Sequence, residues 1–275
     1  MAKKKKQIDA KTKIVVIGSG NLAWHIVSHL SFFKRFDILV YGRHLSENLK
    51  QLQKEFKISI TSHWSQIPPT ADVYFICTGD KAIADVTDKL KKLKPEGLVL
   101  HTSGTASLAS VSKASKNHGV FYPLQTFSFG KSVNWTEVPI FIEAANIKSL
   151  VMLEKLGGYF SPTVIKLNSE QRLKLHLAAV IAGNFSNAMY ASAYAYLAEE
   201  LDKSFFDYLT PLILQTAKKI KTSEPSSVQT GPAARKDKST QKKHLSLLKD
   251  HSELKKLYKT LSKLIVKQQK TNAKL

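Results

Sequence analysis

Residues 13–29 read K-I-V-V-I-G-S-G-N-L-A-W-H-I-V-S-H, and this stretch decides the fold. The apolar run 14–17 predicts a strand, the two glycines predict a tight turn, and the apolar spacing that follows predicts a helix. Gly18 would turn the chain, Gly20 would let the backbone approach a pyrophosphate, and Ala23 would keep the helix close to the strand. The alternative is a glycine-rich turn in another kind of α/β domain. We favour a dinucleotide site at the helix N-terminus, formed by Gly18, Ser19, Gly20, Asn21, Leu22 and Ala23.

The composition is that of a globular protein with a strong positive charge. The 275 residues are 43% hydrophobic, and Lys plus Arg exceed Asp plus Glu by 42 to 21, which gives a net charge of +21. That charge could suit nucleic acid, but the lysines are spread along the chain and are not interleaved with aromatic residues. The distribution argues against a nucleic-acid partner and favours solvated lysines that attract anionic small molecules.

The single cysteine and the apolar segments bear on location. Cys77 alone excludes an intramolecular disulfide and a multi-cysteine zinc site, so we predict a small buried side chain there and no metal site. Lysines 3–6 precede polar residues, which does not fit a secretory signal, and we expect a cytoplasmic protein. Residues 175–197 predict a buried helix and no membrane span, because the stretch is interrupted by Asn184, Ser186, Asn187 and Ser192.

Strands alternate with helices up to residue 167, which predicts a mainly parallel, doubly wound sheet. Further strands are expected at 36–41, 57–61, 73–78, 97–101, 119–122, 139–143 and 161–167, and helices at 45–56, 80–93 and 146–156. Asp80 is expected to cap the second of these helices. After residue 167 only helices are expected, at about 169–199, 203–221, 240–250 and 252–270. The predicted organisation is a disordered basic tail at 1–12, an α/β Rossmann domain at 13–167 and an all-α domain at 168–275.

The residues after the second strand bear on the choice of cofactor. A chain that binds NAD usually has an acid there, about twenty residues after the glycines, to bind the ribose diol. This chain has Tyr41-Gly42-Arg43-His44-Leu45-Ser46 and no acid. Arg43, with His44 and Ser46 nearby, could bind a 2′-phosphate through charge-assisted hydrogen bonds. We therefore predict NADP, and a surface arginine at a strand end is the alternative.

Two later loops follow predicted strands and are expected to reach the same ligand. Thr78 and Gly79 would pass the cofactor ribose. The stretch H-T-S-G-T at 101–105 would place the Ser103 hydroxyl and Gly104 near the nicotinamide end. Either loop could instead be a simple capping turn.

Two groups of polar residues in the helical part are further candidates. His176, Val180, Asn184 and Asn187 have the spacing of one α-helical face, and polar groups on an apolar helix need partners from the protein or from a ligand. The stretch Q-T-G-P-A-A-R at 229–235 combines the Thr230 hydroxyl with the Arg235 guanidinium, which suits an anionic group. An ordinary exposed loop explains that stretch equally well.

Four motifs, in this order, resemble one family. They are I-G-S-G-N-L-A-W-H, H-T-S-G-T, F-Y-P-L-Q-T-F-S at 121–128 and T-G-P-A-A-R. The family is that of Rossmann-like proteins with the domain of unknown function 2520, which is similar to ketopantoate reductase, pyrroline-5-carboxylate reductase and the 6-phosphogluconate dehydrogenase superfamily. The resemblance implies an NADP-binding Rossmann domain, a helical domain that often dimerises, and a pocket between the two. It also implies that Ser103 and Gly104 contact substrate and nicotinamide.

The chain departs from this pattern at two positions. The superfamily commonly has a lysine four residues before an asparagine, but here Val180 precedes Asn184, and His176 one turn earlier is expected to replace the lysine. Lys236 stands where the family has a glycine after T-G-P-A-A-R. The expected catalytic residues are His176, Asn184 and Ser103. The expected substrate contacts are Gly104, Gln125, Asn187, Thr230 and Arg235.

These residues predict an NADP-dependent oxidoreductase that acts on a small carbonyl or imine compound, for which an anionic group would suit Arg235. The alternative is a non-catalytic NADP-binding protein that senses redox state. A homodimer through the helical domain is also predicted. Small residues allow close helix packing there, namely Ala178, Ala179, Ala182, Gly183, Ser186 and Ala191.

Overall fold

The computed structural model describes residues 11–272, with the side chains of 11–269. Most of the predicted tail at 1–12 lies outside the described residues, while Thr12 already belongs to the first strand. The strands are β1 Thr12–Ile17, β2 Phe36–Tyr41, β3 Ser59–Thr61, β4 Val73–Ile76, β5 Leu98–His101, β6 His118–Pro123, β7 Ile140–Ala144 and β8 Val164–Lys166.

Within the described residues these eight strands form one sheet in the order β3-β2-β1-β4-β5-β6-β7-β8. Neighbouring strands are parallel throughout, except that β6 and β7 are antiparallel. The order reverses direction between β1 and β4, which is the switch point where doubly wound sheets bind ligands. The carboxyl ends of β2, β1, β4 and β5 therefore meet at one edge of the sheet. This topology confirms the predicted α/β class.

The α-helices are α1 Asn21–Ser31, α2 Glu47–Phe56, α3 Ile83–Leu93, α4 Ile147–Phe160, α5 Ser169–Ala179, α6 Ser186–Glu200, α7 Thr210–Lys219, α8 Lys238–Leu247 and α9 Ser252–Asn272. The predicted helix at 169–199 consists of α5 and α6, with a π-helical segment, Val180–Phe185, between them. A 3₁₀ segment, Lys203–Leu209, precedes α7. None of the helices among the described residues is long and apolar enough to cross a membrane.

The sheet has an apolar core on each face. Side chains of a strand alternate between the two faces, so β1 contributes Ile14 and Val16 to one core and Val15 and Ile17 to the other. The first core contains buried residues of α1, α2 and α4, and the second contains those of α3. Covering both faces explains why β1 and β4 are almost continuously apolar.

The chain divides into two compact units, of which the first ends at Gly183 and the second begins at Asn184. The last strand ends at Lys166, but α5 belongs to the first unit. Arg172 of α5 is 1% exposed and forms an ion pair with Glu143 of β7, with 2.6 Å between Nη1 and Oε2. The predicted domain boundary at 167 falls between β8 and α5, and it stays a prediction.

The second unit leaves much apolar surface exposed within one chain. No residue of α6 or α7 is buried. The prediction that residues 175–197 form a buried helix is therefore wrong for the isolated chain, because its own helices supply too little cover. Large apolar side chains are exposed in this unit, here called the exposed apolar residues; they include Tyr190, Tyr194, Leu201, Phe205, Tyr208, Leu212 and Leu214.

Candidate functional site

The turn after β1 depends on Gly18. Its φ is +123°, and a Cβ at this position would lie 2.4 Å from the backbone oxygen of Cys77. Its N–H donates to the Tyr41 oxygen at 2.8 Å, which joins the turn to the end of β2. Cys77 is buried as predicted, and burial raises the pKa of its thiol to about 12. Gly20 differs from Gly18, because a Cβ there would have no atom within 4 Å.

The N-terminus of α1 is open to an anion. Gly20 is the N-cap residue, no side chain caps the helix, and its first turn contains no acidic residue. Uncapped N–H groups and the helix dipole favour negative charge at this position. Asn21 lies beside the turn, and its amide donates to the Phe127 oxygen at 3.0 Å. Ala23 is fully buried and Leu22 is partly buried, so both belong to the packing beneath the turn.

A cavity of about 580 Å³ adjoins this turn. It is lined from the ends of β1, β2 and β4 and from α3, and its residues include Gly18, Ser19, Gly20, Gly42, Arg43, Trp64, Thr78, Gly79 and Lys89. The Thr78 Oγ1 atom is buried and has no hydrogen-bond partner in the part of the chain that the structure describes. Buried polar atoms are nearly always paired, so a ligand that supplies a partner fits this site. The open helix end, the glycine turn and this unpaired atom together fit a dinucleotide.

The predicted phosphate-binding residues lie differently around this cavity. Arg43 lines it and is exposed, and no ion pair among the described residues involves its guanidinium. Ser46 caps α2 by accepting the Leu49 N–H at 3.3 Å, and its hydroxyl is 3.4 Å from that of Ser19. His44 is exposed and is not among the lining residues. The structure thus brings Arg43, but not His44, to the cavity.

The loop after β5 is held by a buried neutral histidine. The Nδ1 atom of His101 accepts the Ser103 N–H at 3.2 Å, so the ring proton lies on Nε2, which is 3.1 Å from the Ser107 oxygen. Burial, and to a lesser extent the charge of Arg172, lower the pKa of His101 to about 4. The ring therefore stays neutral and fixes the loop that contains Ser103.

The Ser103 hydroxyl has a structural role in this loop. Its Oγ accepts the N–H of Thr105 at 3.0 Å and that of Ala106 at 2.9 Å, and among the described residues its own proton has as an acceptor only the Thr105 hydroxyl oxygen, 3.4 Å away. The Thr105 hydroxyl donates to Asp80, which joins this loop to the one after β4. The prediction that Asp80 caps a helix is wrong, because its carboxylate accepts the Thr105 proton and no side chain caps that helix start.

Gly104 lies directly against His176. A Cβ on Gly104 would be 2.4 Å from Nδ1 of His176 and 3.1 Å from Cζ of Tyr122. The Tyr122 hydroxyl and the same Nδ1 atom are 3.0 Å apart and form a hydrogen bond. The loop after β5, strand β6 and helix α5 therefore meet at the imidazole ring of His176, which is half-buried.

Arg172 fixes α5 one turn before His176. In addition to Glu143, its guanidinium donates to the Ala106 oxygen and to the Ser169 hydroxyl. The Ser169 hydroxyl donates to Glu143 at 2.7 Å and accepts the N–H of Leu108 at 2.9 Å. This network joins α5 to β7 and to the loop after β5, so it determines where His176 lies.

The remaining candidates lie elsewhere. Gln125 is exposed in the first unit and accepts the Thr126 N–H at 2.8 Å. Asn184 and Asn187 are exposed, and the π-helical segment interrupts the α-helical spacing on which their predicted common face with His176 rested. Arg235 is exposed in a turn where Gly231 has a φ of +102°. Thr230 is also exposed. All four of these residues, Asn184, Asn187, Thr230 and Arg235, belong to the second unit.

Two residues of this site gave no recognisable signal in the sequence. Tyr122 is part of the motif at 121–128, but as one residue of a predicted strand it showed no sign of contacting a helix 54 residues later. Arg172 is an ordinary-looking cation at the start of a helix, and its partner Glu143 is 29 residues away. An arginine on a helix is usually exposed, so nothing in the local pattern predicted its burial.

Two known family models match successive parts of the chain. The family model for NADP oxidoreductase, coenzyme F420-dependent, matches residues 13–104. The model for the domain of unknown function 2520 matches residues 138–265. No protein with a curated function matches the chain.

Solved structures match nearly the whole chain. A Bacteroides fragilis protein described as a putative NADP oxidoreductase is 36% identical, with a TM-score of 0.87 over 94% of this chain and 98% of its own. A Thermotoga maritima protein is 20% identical, with a TM-score of 0.69 over 94% and 99% of the two chains. A pyrroline-5-carboxylate reductase from Coxiella burnetii is 19% identical, with a TM-score of 0.56 over 95% and 98%. The last two show a shared fold.

Proposed function

We propose a reaction for this chain, which belongs to the family of NADP oxidoreductases with the domain of unknown function 2520. In this proposal it reduces a small carbonyl or imine compound with NADPH. The observation that supports it is the cavity at the glycine turn, with its unpaired Thr78 hydroxyl, at the sheet edge where the His176 cluster also lies. NADPH supplies the hydride, and the protein supplies orientation and a proton.

The order of the strands places the proposed cofactor contacts in one row along the sheet edge. Arg43 follows β2, the glycine turn follows β1, Thr78 follows β4 and Ser103 follows β5. Neighbouring strands are about 4.8 Å apart, so β2 and β5 are about 14 Å apart along this edge. A dinucleotide with its adenosine ribose at Arg43 and its pyrophosphate at the N-terminus of α1 would extend toward Ser103 and Gly104. The hydride donor would then be near His176.

In this arrangement each residue has a defined task. The N–H groups of α1 and Gly20 bind the pyrophosphate, and Thr78 and Gly79 border the ribose. His176 donates the proton that the reduced oxygen or nitrogen requires, and the Ser103 hydroxyl donates a hydrogen bond to the same atom. Gln125, Asn184, Asn187, Thr230 and Arg235 are proposed substrate contacts.

The preference for NADPH should depend on Arg43. We expect NADPH to bind tighter than NADH, and Arg43→Ala to remove most of that difference, because an exposed guanidinium without an ion pair is free to bind a phosphate. One charge-assisted contact corresponds to about 10–100-fold in affinity. Calorimetric titration with both cofactors measures it. Lys50→Ala on α2 is the control, since it also removes one exposed cation but does not line the cavity. Equal affinities in the unmutated protein would refute the role of Arg43.

We also propose a homodimer through the second unit, because the exposed apolar residues of that unit are numerous and are unfavourable in water. Light scattering at micromolar concentration should give twice the chain mass. Leu212→Glu, at one of these exposed apolar residues, should give monomers by placing a charge in the interface. Ile147→Glu is the matched control, since Ile147 is also an exposed apolar residue, at 81% against 65% for Leu212, but lies on α4 of the first unit. Monomers of the unmutated protein would contradict the proposal.

The reaction itself is tested by NADPH oxidation with a panel of small carbonyl and imine compounds, followed by absorbance. Consumption of NADPH that requires one of these compounds is the expected result. Tight NADPH binding without oxidation by any of them would overturn the proposal and favour the alternative of a redox sensor.

A further inference from the structure

The hydrogen bond between Tyr122 and His176 joins two residues of the first unit that no motif connects. The Tyr122 side chain is 8% exposed, its hydroxyl is 3.0 Å from Nδ1, and the two rings meet edge to face at 69°. Among the described residues of the first unit, neither the Tyr122 hydroxyl nor Nε2 of His176 has another hydrogen-bond partner. This hydrogen bond is therefore the one that pairs both side chains within the described part of the first unit.

The donor in this hydrogen bond can be inferred from which polar atom would otherwise lack a partner. If Nδ1 carried the proton and donated it, the Tyr122 O–H would have no acceptor in a buried position, which is costly. If Tyr122 donates, its proton is paired and Nδ1 serves as the acceptor. Burial also raises the pKa of the Tyr122 phenol, so the hydroxyl keeps the proton that it donates.

We propose that Tyr122 is a positioning residue that fixes His176 in the neutral tautomer with its proton on Nε2. The Nδ1 side of the ring lies close against Gly104, so the ring has no space to move toward the loop after β5. Arg172 and Glu143 hold the helix one turn earlier. In the neutral ring Nε2–H can donate a hydrogen bond to the reacting atom, and transfer of this proton requires a second proton on Nδ1, so that a neutral ring and not an imidazolate remains. This consequence for catalysis rests on the proposed function, whereas the tautomer itself does not.

The tautomer can be measured without any substrate. In protein labelled with ¹⁵N at histidine, the chemical shifts of the two ring nitrogens distinguish a protonated from an unprotonated Nδ1 at mildly alkaline pH, where free histidine is neutral. We expect His176 to have an unprotonated Nδ1 in the full-length protein. In Tyr122→Phe the His176 signals should shift toward a mixture of both tautomers. Retention of the circular dichroism spectrum shows that this variant is folded.

A second hydrogen bond between a tyrosine hydroxyl and a histidine Nδ1 provides the control. The Tyr258 hydroxyl is 2.9 Å from Nδ1 of His244 in the second unit. Tyr258→Phe should change the signals of His244 and leave those of His176 unaltered. A protonated Nδ1 of His176 in the unmutated protein overturns the proposal, even if Tyr122→Phe fails to fold. Unchanged His176 signals in a folded Tyr122→Phe protein also overturn it.

A kinetic measurement connects the tautomer to the reaction. On a verified substrate, Tyr122→Phe should lower kcat about 10-fold, the effect of one lost hydrogen bond, and leave NADPH affinity unchanged. A tautomer shift without a change in kcat would contradict the role in catalysis and leave the structural assignment intact. Absence of any reaction would contradict only the proposed function.

Discussion

Replacement of His176 by alanine is expected to lower turnover by about 10²–10⁴-fold, the range for loss of a general acid or base. Reduction of a carbonyl or imine produces an atom that must take up a proton. His176 is the half-buried imidazole where the loop after β5, Tyr122 and α5 meet. NADPH affinity should be nearly unchanged, because His176 does not line the cavity at the glycine turn. The measurement is kcat on a verified substrate together with the dissociation constant for NADPH.

His63→Ala is the matched control for this variant. It removes an exposed imidazole from the same unit, and that side chain lies outside the cavity. Its kcat should equal that of the unmutated protein. Full activity of His176→Ala on the same substrate would contradict the assignment of the proton donor. A matching loss of NADPH affinity would instead place His176 in cofactor binding.

Replacement of Gly18 by alanine is expected to destabilise the folded protein and to abolish NADPH binding. The φ of +123° is unfavourable for alanine, and the new Cβ would lie 2.4 Å from a backbone oxygen that cannot move without distorting β4. A residue held in such a conformation costs about 1–3 kcal/mol, and the backbone collision adds to it. Urea denaturation measures the loss in free energy of unfolding, and calorimetry measures binding.

Gly20→Ala separates stability from affinity. A Cβ there would meet no protein atom within 4 Å, and the φ of −84° suits alanine. We expect a free energy of unfolding within about 0.5 kcal/mol of the unmutated value. NADPH affinity should fall at least about 10-fold, because the methyl group would occupy the space through which the backbone approaches a pyrophosphate. If Gly20→Ala binds NADPH normally, the pyrophosphate does not lie at this turn.

The parts of the fold set by local patterns were predictable from the sequence. The mainly apolar segment at 36–41 corresponds to β2, Phe36–Tyr41, and the strand–turn–helix at 13–29 has the predicted form. The predicted start of α5 agrees with the structure, where Asn168 caps the helix. Gly18, Arg43, Thr78 and their neighbours around the cavity followed from the position of motifs at strand ends.

What could not be predicted depends on contacts between distant segments. The Tyr122–His176 hydrogen bond and the Arg172–Glu143 ion pair join residues whose local sequences are unremarkable. The carboxylate of Asp80 could cap a helix or accept from Thr105, and only the fold places that hydroxyl beside it. The π-helical segment also lacks a proline or a glycine pair that would have marked it.

The buried Arg172 determines where a shortened form of this protein should end. A shortened chain that stops after β8 would contain Glu143 and the Ala106 carbonyl without the guanidinium that binds both. Such a fragment would lose the ion pair and the hydrogen bond that join α5 to β7 and to the loop after β5, and we expect it to be less stable. A fragment that is to fold alone and bind nucleotide should therefore extend through Gly183, where the first unit ends. Although α5 follows the last strand in the chain, it is an integral part of the nucleotide-binding half.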